Sequence, residues 1–431
     1  MGIESEGRRP FSFVTRNYLV LTLTSALWNV GFSVTRTYFP LYVFELGGSE
    51  TAIGIIFALE SVGYALSLIV GGQISDMYGR KRLLGLMTLA SGVSHLLLAV
   101  APHWQALALA SVVVNLCWVM EPAFWAMLAD SIDERRRGVA FSVFSCVNFL
   151  PWVVMPYVGG YLIDIVGVLT AMRWMYVALA TLGVAAGTLR LSMLEETLTP
   201  PCGSDRSSIG LKDAGRIMKD ALKEHLRTWF SMPSSTFALA ATYMIWSFEF
   251  GLVEPYWIVY AEEEIGLVPS QWGVIIAVGN VISLLMKSLV VGWVLDRFGR
   301  RSVLLAVLAF DTSTYLLFIL CRDFVHVLLM WAYASVVWSF YEATYSSIEA
   351  DMVPKERRGR TYAAFGVAWS VFSIPASLVG GVIYEKVSHQ LSFILAAVVV
   401  IVCLTVTSRF VHPPEAKGMK RAERGPHGDN T

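Results

Sequence analysis

One phrase is written twice in this chain. Gly71 to Leu84 reads GGQISDMYGRKRLL, and Val291 to Leu304 reads VGWVLDRFGRRSVL. The shared frame is Gly72, Asp76, Gly79, Arg80 and Lys81, answered at one constant offset by Gly292, Asp296, Gly299, Arg300 and Arg301. Other landmarks recur at almost the same offset: Glu121 with Glu342, Asp130 with Asp351, Gly138 with Gly359, and Gly159-Gly160 with Gly380-Gly381. A tandem duplication explains this register, so the fold must be built from two similar halves.

Composition decides what each half is made of. Of 431 residues, 55% are hydrophobic and only 15% charged, against about 25% charged in a soluble domain. Apolar stretches long enough to cross a hydrocarbon core about 30 Å thick recur along the chain. They are too long and too uniformly apolar for barrel strands, which alternate. Twelve spans are predicted: 18–44, 51–75, 82–101, 104–130, 139–163 and 171–192, then 236–260, 271–295, 302–320, 324–351, 361–384 and 389–411. The expectation is an all-α integral membrane protein of two six-helix bundles. They occupy 1–192 and 236–411, joined by a linker at 193–235 and followed by a disordered tail at 412–431. The polar start leads straight into the first span, so no cleavable signal peptide is expected. The five cysteines lack metal-ligand spacing and imply no disulfide framework.

The net charge of zero hides an asymmetry. Of 33 Lys and Arg, 28 fall on one side of this topology. The opposite loops hold only Arg173, Arg322 and Lys386, while Arg36 and Lys287 lie within spans. The positive-inside rule then places both termini in the cytoplasm, in agreement with an even span count. The linker contains LKDAGRIMKDALKEHLRTWF, in which Leu211, Ala214, Met218, Leu222, Leu226 and Trp229 keep to one helical face. An amphipathic helix on the membrane surface and a solvated linker helix are both open readings.

These residues resemble the major facilitator superfamily of secondary transporters over roughly 17–411. Gly72 to Lys81 is similar to that family's signature loop between spans 2 and 3, and the second copy sits between spans 8 and 9. Asp130 to Arg137 and Asp351 to Arg358 fit the acid-x6-Arg pattern of sugar porters. Pro156-Tyr-Val-Gly159-Gly160 is similar to part of a span 5 stretch in drug–proton antiporters, with Met155 replacing its first Gly. Asn115 stands about where those antiporters carry an Arg, a departure that weakens the antiport reading. The resemblance implies a central site at mid-depth. Spans 1, 4, 7 and 10 would line it, spans 2, 5, 8 and 11 would join the bundles, and spans 3, 6, 9 and 12 would face lipid.

The loops have a physical reading of their own. Gly79 and Gly299 permit a tight turn. Asp76 and Asp296 end one helix and can meet the positive N-terminus of a neighbour. Arg80, Arg137, Arg300 and Arg358 can pair with Asp130 and Asp351. The gating set is therefore Gly72, Asp76, Gly79, Arg80, Asp130, Arg137, Gly292, Asp296, Gly299, Arg300, Asp351 and Arg358; the alternative is that these residues only fix topology.

Eight ionisable residues lie deep within predicted spans: Arg36, Glu60, Glu121, Glu249, Glu254, Lys287, Asp311 and Glu342. A charge at mid-membrane costs about 2.5–3.5 kcal/mol, so eight exceed a typical net stability of about 5–15 kcal/mol. They must face water, pair, or be neutral. Glu121 and Glu342 are equivalent in the repeats. Trp118 and Trp125 share the face of Glu121, and Trp338 and Tyr345 that of Glu342, which suits a cationic or zwitterionic solute. The alternative is packing around structural acids paired with Lys287 or Arg36. Glu249 and Glu254 are five residues apart, about 140° round a regular helix, so at most one is expected to face the cavity. Asn280 matches Glu60 by repeat, and a Glu60–Lys287 link is one option. Arg36 can bind a carboxylate or neutralise a neighbouring Glu. Asp311 sits on a span that the resemblance assigns to lipid, and pairing with a neighbouring helix is one option for it.

Together these imply a transporter of a small organic solute by alternating access, coupled to protons, with efflux of organic cations first and uptake of a sugar, zwitterion or organic acid as the alternative. A non-transporting receptor or scaffold is the competing class. No HExxH, GxSxG or Walker loop appears, so an enzyme is not expected. Neither is a cofactor, a metal or a nucleic-acid partner. A monomer in the plasma membrane bilayer is expected.

Overall fold

A computed structural model describes residues 14–133, 136–198, 211–353 and 358–411. The side chains of Asp76 and Arg358, Cys202, and the 412–431 tail lie outside the described residues. Among the described residues, twelve helices are long and apolar enough to cross a membrane: Arg16–Thr37, Glu50–Ser75, Arg80–Ala99, Trp104–Asp130, Arg137–Val166 and Val168–Met193, then Ser234–Glu263, Pro269–Leu289, Arg300–Phe318, Phe324–Met352, Ala364–Lys386 and His389–Phe410. They are spans 1 to 12.

The two halves repeat one packing pattern. Span 1 packs on spans 5 and 6, span 3 on 6, and span 2 on 4; span 7 packs on 11 and 12, span 9 on 12, and span 8 on 10. The halves meet through span 2 against span 11 and span 5 against span 8, the interface the resemblance implies. Apolar side chains such as Leu97, Val177, Phe310 and Ile401 on spans 3, 6, 9 and 12 are exposed, as a lipid-facing surface requires.

Several spans are broken where the sequence reading ran them straight. Span 1 stops at Tyr38, and a separate helix Phe39–Glu45 follows with Pro40 in its first turn. Pro lacks the N–H needed to continue the ladder and disfavours helix at the residue before it. Span 4 tightens to a 3-10 turn at Cys117–Met120, just before Glu121-Pro122. Span 7 does the same at Glu254–Tyr256, around Pro255. Span 8 ends at Leu289, and a separate helix, Val291–Phe298, follows after Val290. Gly79 and Gly299 take φ of 86° and 79°, the left-handed region that a side chain would strain.

The linker helix Leu211–Phe230 packs against the ends of spans 2 and 11, one in each half. Trp229 rests on Phe237 and Phe365, with ring centroids 6.1 Å apart in each case. Leu222, Leu226 and Phe230, one turn apart, remain exposed. The apolar face is thus divided: Trp229 seats on protein, and the stripe of Leu222, Leu226 and Phe230 is left uncovered. Of the apolar residues assigned to it, Leu211 and Ala214 have side chains outside the described residues.

Candidate functional site at the junction of the halves

Three connected lobes open at mid-depth between the halves. One of about 450 Å³ lies in the first half, and one of about 380 Å³ shares Phe32, Trp118 and Glu121 with it. A third of about 460 Å³ lies toward the second half and joins them through Arg36 and Trp152. Spans 1, 4, 7 and 10 all contribute, but so do the interface spans, through Glu60, Trp152, Asn280 and Trp369.

Glu121 is positioned by the tightened turn in span 4, which ends one residue before it. The Tyr64 hydroxyl donates to Glu121 Oε2 at 2.6 Å and Trp125 Nε1 to Oε1 at 3.3 Å. The rings of Trp118, Phe32 and Tyr64 surround it: Trp118 lies 6.2 Å from each of the other two. Trp152 stands 6.0 Å from Phe32 and donates its N–H to Asn29 at 3.2 Å. No Lys, Arg or His forms an ion pair with Glu121 among the described residues. Tyr64 was missed from sequence, although it lies four residues after Glu60 on the same helical face.

Its repeat partner differs. Glu342 is paired with Lys287, although its side chain is 67% exposed. Trp338 lines the same lobe but turns its N–H away, donating to Asp311 Oδ1 at 2.9 Å. Tyr345 is not in the cavity: it is buried, its hydroxyl donating to the Leu239 carbonyl at 3.2 Å and its ring 5.1 Å from Tyr243. Three residues after Glu342, it faces the packed interior of the second half.

Arg36 anchors an ionic cluster. It meets Glu60 at 2.9 Å, Glu254 at 3.5 Å, and the Phe57 ring at 4.3 Å. A Glu60–Lys287 link therefore does not form. Asn280 reaches the Trp152 carbonyl at 2.7 Å. The expectation that Glu249 and Glu254 diverge is also corrected. Both line the third lobe, because the 3-10 turn at Glu254 ends the regular helical phase on which that divergence depends. Asp311, assigned to lipid, is 1% exposed and points into the second half. Arg190, counted with the basic loops, is 4% exposed. Its guanidinium donates to Thr24, Thr88 and Ser25 at 2.9, 2.7 and 3.0 Å and lies 5.3 Å over Phe124, at the edge of the lobe that holds Glu121.

On the side carrying both termini, Arg80 pairs with Asp130 and Arg300 with Asp351. Each pair stays within its own half. Arg137 donates to the Ala129 carbonyl at 3.2 Å. Asp296 is exposed, without a side-chain partner among the described residues. The cap on span 3 comes from Glu196, whose carboxylate accepts the backbone N–H of Arg80 and Lys81 at 3.1 Å each. A carboxylate at a helix N-terminus is the favourable arrangement expected of the loop acids. Gly72 and Gly292 have open space where a Cβ would stand.

The opposite side is sealed between the halves. Tyr38 donates to the carbonyls of Pro156 at 2.6 Å and Pro269 at 3.0 Å. Glu385 accepts from Ser49 Oγ at 2.7 Å and Thr51 N at 2.9 Å. A Cβ on Gly381 would stand 2.8 Å from the Glu50 carbonyl and 3.1 Å from Thr51 Cα. Glu50, Glu263 and His389 bring ligand-type atoms within 4.8 Å of one another in this rim, away from the cavity. Toward mid-depth, Ser373 donates to Ser61 at 3.0 Å.

Comparison with known proteins agrees with this architecture. The family model for the Major Facilitator Superfamily matches residues 21–348 and again 235–428. Multidrug resistance protein MdtG of Escherichia coli O9:H4 (strain HS) is 25% identical over 305 residues, covering 69% of this chain and 70% of MdtG. The MFS-type transporter MJ1560 of Methanocaldococcus jannaschii is 22% identical over 357 residues, covering 81% and 86%. Among solved structures, a POT family transporter in complex with 5-aminolevulinic acid superposes with a TM-score of 0.74 at 14% identity, covering 92% of this chain and 96% of that one. The human organic anion transporter MFSD10 superposes with a TM-score of 0.67 at 16% identity, covering 91% and 99%. With twelve spans in two matching bundles around an aromatic-walled cavity that holds charged side chains, and a family match along nearly its whole length, this chain belongs to the Major Facilitator Superfamily.

Proposed function

We propose that the protein exports cationic, drug-like organic solutes in exchange for protons. One observation carries this reading. Glu121 lines the cavity with only neutral donors on its carboxylate, Tyr64 and Trp125, inside a wall of aromatic rings. A desolvated organic cation beside a carboxylate and an aromatic face gains both charge attraction and cation–π attraction. The MdtG relative is named for multidrug resistance, which supports a drug-like solute. The seal on the side opposite the termini supports a cavity facing the termini, which is inward-facing if both termini are cytoplasmic. The charged loops at Asp76, Arg80, Asp130, Asp296, Arg300 and Asp351 then act in gating, and the protein works as a monomer in the plasma membrane. Arg36, in the third lobe, supports a second reading, uptake of a solute bearing a carboxylate.

The test is flux of tetraphenylphosphonium and ethidium in proteoliposomes under an imposed pH gradient, beside a dipeptide and a sugar. Cation movement driven by the gradient, cut at least tenfold by Glu121→Gln, is expected. Flux of the dipeptide or sugar alone would favour the second reading. No flux of any solute, with intact binding, would mean a receptor.

A further inference from the structure

Behind the third lobe, the second half buries two carboxylates with no base beside them. Glu249 on span 7 is 2% exposed and Asp311 on span 9 is 1% exposed. Neither forms an ion pair among the described residues. The groups that face them are neutral donors and thiols. Trp338 on span 10 donates its N–H to Asp311 Oδ1 at 2.9 Å, and Tyr315 of span 9 lies beside Glu249. Tyr341 of span 10 and Cys403 of span 12 complete the charged or titratable surroundings. The nearest bases are engaged elsewhere, Lys287 with Glu342 and Arg36 with Glu60 and Glu254. Asp311 Oδ2, fully buried, has no hydrogen-bond partner, and the Tyr341 hydroxyl likewise has none.

Two carboxylates buried together with no cation beside them cannot both be charged. An unpartnered carboxylate oxygen in such a place is satisfied by a proton, which turns it into a donor. We infer that Glu249 and Asp311 share one proton and form the seat of the coupling proton, separate from the solute site at Glu121. The inference rests on the proton-coupled reading above and places the proton within it. Glu249 lines the third lobe and Asp311 does not, so water in the lobe reaches Glu249 first. A hydronium ion gives up one proton there and remains as water. The negative charge of the pair falls by one, and Trp338 then donates to a weaker acceptor. Its ring lines the lobe four residues before Glu342, so proton occupancy is felt in the cavity wall. The N–H of Trp338 cannot ligate a metal cation, which favours a proton over sodium.

The experiment is infrared spectroscopy of the full-length protein in proteoliposomes, without solute, titrated in H₂O and D₂O. A carboxylic-acid C=O band that titrates with pH and shifts in D₂O is expected. It is lost or displaced in both Asp311→Asn and Glu249→Gln, and moves in frequency in Trp338→Phe. A titrating band identical to wild type in both acid variants overturns the assignment. So does a band removed by sodium at constant pH, which would make this a sodium site. If Asp311→Asn does not fold, Glu249→Gln decides alone. The readout needs no transport. A titrating pair in a protein that moves no solute would sink the functional reading and keep this one; pH-driven flux with no such band would do the reverse.

Discussion

At the residue scale, the two repeat-equivalent acids have taken different roles. Glu342 is neutralised by Lys287, while Glu121 is held by Tyr64 and Trp125. A hydroxyl and an indole N–H orient a carboxylate without cancelling its charge, so only one of the pair remains attractive to a cation. Arg190 poses the opposite problem, a buried guanidinium among hydroxyls. Thr24 and Thr88 already donate to the carbonyls of Val20 and Leu84, at 2.7 and 2.6 Å, so they stay satisfied without it. Burying an unpaired charge costs more than a few neutral acceptors return. Arg190→Met should therefore fold and melt at the same temperature or higher, by up to about 2 kcal/mol. A marked fall in the melting midpoint in detergent would show that the hydroxyl cradle and Phe124 outweigh desolvation.

At the element scale, the helix breaks decide which charges meet. Pro255 sits inside the 3-10 turn of span 7, and that turn places Glu254 3.5 Å from Arg36. Pro255→Ala restores the missing N–H and lets a regular helix run on, which swings Glu254 away. Gradient-driven cation flux should fall about tenfold, roughly 1.4 kcal/mol, with the melting midpoint retained. Unchanged flux would mean that the break does not seat Glu254. The linker helix is an element of the same kind. It touches spans 2 and 11, so it bridges the two halves, and Trp229 fastens it to the second.

At the scale of the molecule, the halves are joined at the rim opposite the termini, where helices approach at backbone distance. Gly381 is the tightest element of that seal on span 11. Gly381→Val leaves no room beside Glu50 and Thr51, so the seal should open and the outward-facing population should rise. A cysteine at Thr37, which lines the third lobe, reports this in a background lacking the exposed Cys146 and also Cys202. Labelling by an impermeant maleimide from the rim side should increase severalfold, and equal labelling with and without the substitution would show that another contact holds the rim.

The duplication, the twelve spans and the tight turns at Gly79 and Gly299 were legible in the sequence, as was the set of arginines open to Asp130 and Asp351, but not that Arg80 and Arg300 take them. Each depends on local periodicity, on a register that returns in the second half, or on a backbone conformation that favours glycine. What required the tertiary structure were matters of direction. Arg190 lies three residues from the end of span 6 and reads as a loop cation, yet spans 1 and 3 close over it. Asp311 reads as lipid-facing because span number says nothing of rotation, and only packing shows which face of span 9 turns inward. Tyr345 shares a helical stripe with Glu342, but a 29-residue helix between two bundles buries parts of that stripe in different surroundings. A sequence specifies where a helix runs and which residues share its face. Which neighbour meets that face is settled by the other eleven spans, and there the partners of the buried charges were chosen.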